Sequence, residues 1–383
     1  MSQWPMVKLG DVARKTSQVN PKKFPDEDFC LYSIPAYDAG CAEYLTGKEI
    51  GSSKPQLQAG DVLLSKIVPH IRRSWVVESH DIRTLGSSEW IVFNDSRFDP
   101  NFLQEYLVSD QFHHQFMTTV AGVGGSLNRA RPAAVFNLSV PLPPLEEQRR
   151  ISKVLAKSKK SIERERITID RLKETLNAVF NQRFGSPYQN QKHLPVLKLS
   201  ELAVVKTGNT PPRRVTENYG SYIPWAKSDN LGDWGITTPE ESLSEQGAQK
   251  GRIAEPGSIL VTCIAGSINS IGKSSLIEQE VAFNQQINSL TPKPEISSSA
   301  FLFAALNSYP ELVRDKSTGG VKGIVKKSAF EDIALPVPPM HEQHWFSQFF
   351  ENLKTIVRLQ SRKLALLEEL HQSLATRAFA GQL

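Results

Sequence analysis

The chain has 383 residues, 39% of them hydrophobic and 22% charged, the proportions of a folded chain with room for two or three domains and not of a disordered one. Its formal charge of +5 leans toward an anionic partner but is too small a surplus to name one. No run of about 18 apolar residues occurs, and the N-terminal MSQWPMVKLGDVARK carries no apolar segment behind its charges, so a cytoplasmic protein without membrane contact is expected. Cys30, Cys41 and Cys263 are widely spaced and form no CxxC pair, which argues for buried free thiols and against a disulfide framework or zinc knuckle.

In chain order, the first landmark is KLGDVA (8–13), followed by GDVLLSKI (60–67), a strand-like apolar run that ends near Lys66. SKIVPHIRR (65–73) adds Arg72 and Arg73. Short β-branched and aromatic stretches follow, among them Trp75-Val76-Val77 and the run 89–93, separated by Gly, Ser, Asn and Pro. The glycine-rich AGVGGSLNRARPAAV (121–135) carries Arg129 and Arg131. PLPPLEEQ (141–148) then opens a run in which Ile151, Leu155, Ile162, Ile169, Leu172, Leu176 and Val179 lie on a heptad seam, predicting a helix over 145–184 that stops at Gly185.

The same order then returns. KLSELA (198–203) matches the first landmark and GSILVTCI (257–264) the second, with Lys273 near the place of Arg72-Arg73. TGGVKGIVKKSAF (318–330) carries Lys322, Lys326 and Lys327. PVPPMHEQ (336–343) stands 195 residues after its first copy and opens a helix predicted over 340–379, with Phe346, Phe350, Val357, Leu364, Leu367 and Leu374 on the seam. The acids and glutamines at 147–148 and 342–343 fall in the first turn, where acids suit the helix dipole.

The fold class expected is α+β: two similar globular heads, 1–144 and 186–339, each followed by a long helix, 145–185 and 340–383. A helix of about 60 Å overhangs a head of about 40 Å, so the two helices are expected to pair. An antiparallel pair is favoured, because a parallel one would require the second head to carry the chain about 60 Å back. Ser158, Glu165, Gln360 and His371 interrupt the seam; they suit a register-setting pair of unlike helices better than a self-pairing zipper. The heads then sit at opposite ends about a pseudo-twofold axis, a geometry that matches two half-sites on double-stranded DNA separated by an unread spacer.

The candidate DNA-binding residues are Lys66, Arg72, Arg73, Arg129, Arg131, Lys273, Lys322, Lys326 and Lys327. The glycines beside them allow close backbone approach, and the cations suit phosphates or, for arginine, guanine edges. Arg213-Arg214 is a weaker candidate, and the basic stretch from Lys153 to Arg164 reads best as a solvated helix face. GSINSIGKS (266–274) has five residues between its glycines where a phosphate loop has four; a turn presenting Lys273 is the better reading. His341 and His344 share a helix face, but Glu146 and Arg149 hold those places in the first copy, so no metal site is expected.

Taken together, PLPPLEEQ and PVPPMHEQ before long helices, SKIVPHIRR, GNTPPR (208–213), IPWAKSDNL (223–231) and the order head, helix, head, helix resemble the specificity subunits of type I restriction-modification enzymes over nearly the whole chain. The resemblance implies two target-recognition domains reading a bipartite DNA sequence. It also implies two modification (methyltransferase) subunits that methylate adenine with S-adenosylmethionine, and restriction subunits that use ATP and Mg for cleavage. No cofactor and no catalytic residue is expected in this chain, which has neither the Asn-Pro-Pro-Tyr/Phe motif of adenine methyltransferases nor a GxGxxG opening a helix after a strand. Because the halves differ between their shared landmarks, an asymmetric target is expected. The alternatives are a stand-alone DNA-binding protein and a non-DNA scaffold built on the helix pair.

Overall fold

The computed structural model describes residues 4–121, 128–232, 234–318 and 323–383. The chain divides into two compact units, Met1–Arg166 with Arg362–Leu383, and Ile167–Ser361. Both mix helix and strand, and both are assembled in the same order.

In the first unit the strand Met6–Lys8 pairs antiparallel with Ser139–Pro141, placing Val7 opposite Val140, so the globular part is closed on itself before the chain enters the long helix. The short helix Leu9–Val12 follows and buries Leu9 and Val12. At the centre lies Val62–Ser65, buried at every residue, antiparallel to both Ser74–Val76 and Trp90–Phe93. Its consecutive Val62, Leu63 and Leu64 suit a strand covered on both faces. A second sheet sets Asp28–Tyr32 between Glu43–Thr46 and Arg83–Gly86. The helices Pro100–Val108 and Asp110–Met117 start where the Asp99 and Ser109 side chains accept N–H groups that have no partner inside the helix. Their Phe102, Tyr106, Phe112 and Phe116 fill the core with Leu9, Val140, Ile151, Leu155 and Phe379.

The second unit repeats this plan. Val196–Lys198 pairs with Ala334–Pro336, and the central strand Ile259–Thr262 lies antiparallel between Ser274–Leu276 and Ile287–Pro292. The KLSELA landmark is the strand end, the helix Leu199–Leu202 and the first residue of Ala203–Thr207, which extends that sheet. The helix Ser299–Ser308 is capped by Ser298.

The long helices span Leu145–Phe184 and Met340–Phe379, 40 residues each, the bounds read from the sequence. Within the first unit, Arg150 donates to the Leu383 carbonyl at 2.8 Å, while Lys363 and Glu165 pair at 2.5 Å and Arg166 and Glu368 at 2.6 Å. The start of one helix therefore lies beside the end of the other. Within the second unit the converse holds: Phe180 and Phe184 pack on Phe346, and Arg183 pairs with Glu342. Ile151, Leu155, Ile162, Ile169, Leu176, Phe346, Phe350 and Val357 are buried, whereas Leu172, Leu364, Leu367 and Leu374 are half-buried.

Each helix is also fastened to its globular part by a glutamine. Gln148 donates to the carbonyls of Pro143 at 2.8 Å and Arg97 at 2.9 Å, and accepts the N–H of Asp99 at 2.7 Å. Gln343 donates to Pro338 at 2.9 Å and Ile296 at 3.0 Å, and accepts from Ser298 at 2.8 Å. Reading this part of the motif as helix-dipole chemistry overlooked that role. The expectation of buried thiols holds for Cys30 and Cys263 and fails for Cys41, which is exposed; Cys41 lies just past Gly40, the left-handed cap that ends a short surface helix.

Candidate nucleic-acid interface

In the first unit the connection from Val62–Ser65 to Ser74–Val76 contains Lys66, Arg72 and Arg73. Its opening residues act as a strand against the segment that follows the glycines. Ala130 donates to the Lys66 carbonyl at 2.8 Å and Val68 to the Asn128 carbonyl at 3.0 Å, with Ile67 opposite Arg129. Two basic segments far apart in sequence thus become neighbours. Val120–Ala121 pairs with Arg129–Ala130, and Arg131 stands at the N-cap of the short helix Pro132–Val135.

The second unit builds the same arrangement from different residues. Ile264–Ala265 pairs with Gly323–Ile324, and Val325 donates to the Cys263 carbonyl at 2.8 Å. Ile264 therefore takes the place of Ile67, Ile324 that of Arg129, and Lys326, at the N-cap of Lys327–Glu331, that of Arg131. Lys273 corresponds to Arg73: each gives its carbonyl to the last residue of the central strand, Thr262 at 2.9 Å and Ser65 at 3.0 Å.

These cations are not equally available. Arg73 is buried and forks onto Asp38 at 2.7 and 2.8 Å, holding that carboxyl below its usual range. Arg72 pairs with Asp110 at 2.5 Å, and the Gln372 amide together with Arg72 keeps Asp110 ionised below the ordinary carboxylate range. Arg129 reaches Glu89 at 3.1 Å and Lys327 reaches Glu331 at 3.4 Å, both at exposed positions where the pairing is weak. Among the described residues no carboxylate pairs with Lys66, Arg131, Lys273 or Lys326. Lys322 lies outside the described residues. Each unit therefore presents uncompensated cations along a backbone pairing that fixes their spacing, an arrangement suited to a polyanion.

Other sequence candidates resolve more simply. Arg213 pairs with Glu241 at 2.7 Å and lies over Tyr219 and Trp225. GSINSIGKS forms a short turn, Ile268–Ser270, and runs from Lys273 into the strand Ser274–Leu276; a phosphate loop would lead into a helix. Lys159 pairs with Glu105 at 2.7 Å, while Lys153, Lys157 and Lys160 are exposed. Among the described residues no three His, Cys, Asp or Glu gather where a metal could be held, and no helix is long and apolar enough to cross a membrane.

The family model for the type I restriction modification DNA specificity domain matches residues 192–369, the second repeat and most of its helix. The HindI type I restriction enzyme specificity subunit of Haemophilus influenzae is 22% identical over 88% of this chain and 90% of that subunit. Over most of its length the chain is similar to type I specificity subunits. The MjaIX specificity subunit of Methanocaldococcus jannaschii is 24% identical over 47% of this chain, and the chain covers 42% of that relative's length. Two solved structures share the fold. One is a chain from a type I R-M system studied for complex assembly and conformational transition, with a TM-score of 0.62 and 20% identity over 99% of this chain and 98% of that one. The other is the S subunit of a type I restriction-modification system from M. genitalium, with a TM-score of 0.57 and 13% identity over 99% of this chain and 96% of that one.

The sequence disclosed the basic segments but not their partners. Asp38 and Asp110 lie over thirty residues from the arginines they hold, and no local spacing announces such pairs. Gln148 and Gln343 did leave a signal: a glutamine, where a dipole argument needs only an acid, kept at the same place in both repeats.

Proposed function

We propose that this chain is the non-catalytic DNA-recognition subunit of a cytoplasmic type I restriction-modification complex. Heads 1–144 and 186–339 each read one half of an asymmetric bipartite duplex target, and helices 145–185 and 340–383 pair antiparallel to hold the heads apart at opposite ends. Two modification subunits supply methyl transfer to adenine from S-adenosylmethionine; restriction subunits add cleavage driven by ATP with Mg. The observation that carries this reading is the loop-and-strand arrangement built twice with different side chains: Lys66, Arg129 and Arg131 in one unit, Cys263, Ile324 and Lys326 at the same places in the other. Two readers of one design with unlike surfaces suit two unlike half-sites.

The test is single-molecule methylation mapping in a methylation-free host expressing the chain with its partner methyltransferase, beside a host expressing the methyltransferase alone. The expected result is a bipartite, asymmetric motif with methyladenine in both halves that appears only when the chain is present. A soluble, active complex that marks no motif overturns the reading, and a palindromic motif overturns the asymmetry.

A further inference from the structure

Ile71 and Ile268 lie on the same connection in the two units, the one that carries the candidate cations, each six residues beyond the end of the central strand. Both belong to one-turn 3-10 segments, Pro69–Ile71 and Ile268–Ser270. Both are exposed, at 47% and 41%. A single exposed isoleucine is ordinary. The same exposure on the same connection, Ile71 closing its turn and Ile268 opening its own, where the preceding residues differ (Val-Pro-His against Ala-Gly-Ser), is not accounted for by packing.

Each turn is also held rigidly, and by unrelated means. In the first unit Val68 and Arg72 bracket the turn in the left-handed region, at φ 46° and 55°, a costly conformation for a β-branched valine. Arg72 is tied to Asp110 and Arg73 to Asp38. In the second unit Arg314 reaches across to donate to the carbonyls of Ile271 at 3.0 Å and Asn269 at 3.1 Å. Gly272, at φ 82°, leaves no room for a Cβ, which would meet the Pro310 carbonyl oxygen at 2.5 Å. Two different sets of clamps thus present an apolar side chain on the connection that also carries Lys66 in one unit and Lys273 in the other. Phosphates attract the cations; on the edge of a base pair the distinctive apolar group is the thymine C5 methyl in the major groove.

We propose that Ile71 and Ile268 are specificity-determining residues, each making an apolar contact with a thymine methyl in its own half-site. The inference rests on the DNA-recognition reading and deepens it by assigning one residue to each half.

The experiment uses the complete complex with its methyltransferase subunits and the mapped target, replacing each thymine singly by deoxyuridine, which removes only the methyl group. Ile71→Ala is expected to weaken binding about fivefold to tenfold and to abolish the effect of deoxyuridine at one position in one half, leaving the other half's profile unchanged. Ile268→Ala is expected to do the same in the other half. Unchanged thermal unfolding of both variants establishes that the loss is one of contact. Variants that respond to every deoxyuridine as the wild type does, or that lose affinity equally for all sequences, overturn the proposal. So does a loss that no deoxyuridine reproduces, the result expected of a side chain wedged between bases. A wild-type complex that marks no motif would sink the DNA reading itself, and so stands apart from failure of this inference alone.

Discussion

Gln148 and Gln343, 195 residues apart, make the same three hydrogen bonds, each holding the N-cap residue of a core helix, Asp99 or Ser298, to the first turn of a long helix. Both glutamines are fully buried, so losing either leaves two carbonyls and an N–H without partners. Gln148→Ala and Gln343→Ala are each expected to cost about 2–4 kcal/mol, the loss of net hydrogen bonding plus buried polar groups left unpaired. Gln→Glu is the sharper variant. It keeps the shape but turns an oxygen toward two carbonyls, and it is expected to destabilise at least as much as alanine. Urea unfolding measures both, and a tolerated glutamate would show that the clamp does not hold the helix.

The charge pattern separates cations without a carboxylate partner among the described residues from cations that build the fold. Arg131→Ala and Lys326→Ala are each expected to weaken DNA binding uniformly across sequences and to reduce the slope of log affinity against log salt by about one. Arg73→Ala is expected to behave oppositely, because its guanidinium is already paired with Asp38 in a buried site. It lowers the unfolding temperature and leaves the slope unchanged. Binding titrations at several salt concentrations check all three, and a reduced slope for Arg73→Ala would mean that the Asp38 pair opens on DNA.

Much of this was legible in the sequence because duplication doubles every weak signal. The two Pro-Pro motifs marked both helix starts, and shared spacing picked out residues that are buried on the helices, Ile151, Leu155, Ile162, Ile169 and Leu176 on one and Phe346, Phe350 and Val357 on the other. What stayed hidden depends on contacts between distant residues. Nothing local distinguishes Arg73, consumed by Asp38, from Arg131, which pairs with no carboxylate among the described residues. Nor does a heptad pattern distinguish Leu172, half-buried on the seam, from Leu176, fully buried on it. The pairing of Lys66 with Ala130 was equally invisible, since it joins two loops and not two recognisable strands.

His371 gives the first unit a pH dependence. It is half-buried at the interruption of the helix seam, and burial, with Lys159 adding to it against an opposing Glu105, pushes its pKa below the ordinary 6.5. Burial likewise depresses His113. Well above pH 6.5 the imidazole is neutral in both folded and unfolded chains and costs nothing. Below that value the unfolded chain takes up a proton that the folded one resists, so stability falls with pH. His371→Gln is expected to flatten the stability curve below the ordinary histidine value, leaving it parallel to wild type above neutrality. Adding His113→Gln flattens it further. Denaturant midpoints across this range check the sign, and a wild type that gains on the variant as pH falls would reverse it.

Glu165 occupies a seam position between Ile162 and Ile169 and is only 5% exposed, yet it carries a carboxylate whose one oxygen meets Lys363 at 2.5 Å. Among the described residues the other oxygen has no hydrogen-bond partner. A buried charge with one partner is a poor source of stability, because desolvation offsets the attraction. Removing the partner should still hurt, since Lys363→Ala strands the carboxylate. The expected loss is about 1–2 kcal/mol, below the range for fully buried pairs because Lys363 remains 59% exposed. Glu165→Leu should be neutral or stabilising by about 1 kcal/mol, as it extends the apolar seam. The double variant should match Glu165→Leu alone, because lysine then has nothing to pair with. Urea midpoints of the three variants decide the matter: if Glu165→Leu costs as much as Lys363→Ala, the ion pair is a net stabiliser and not a register-setting expense.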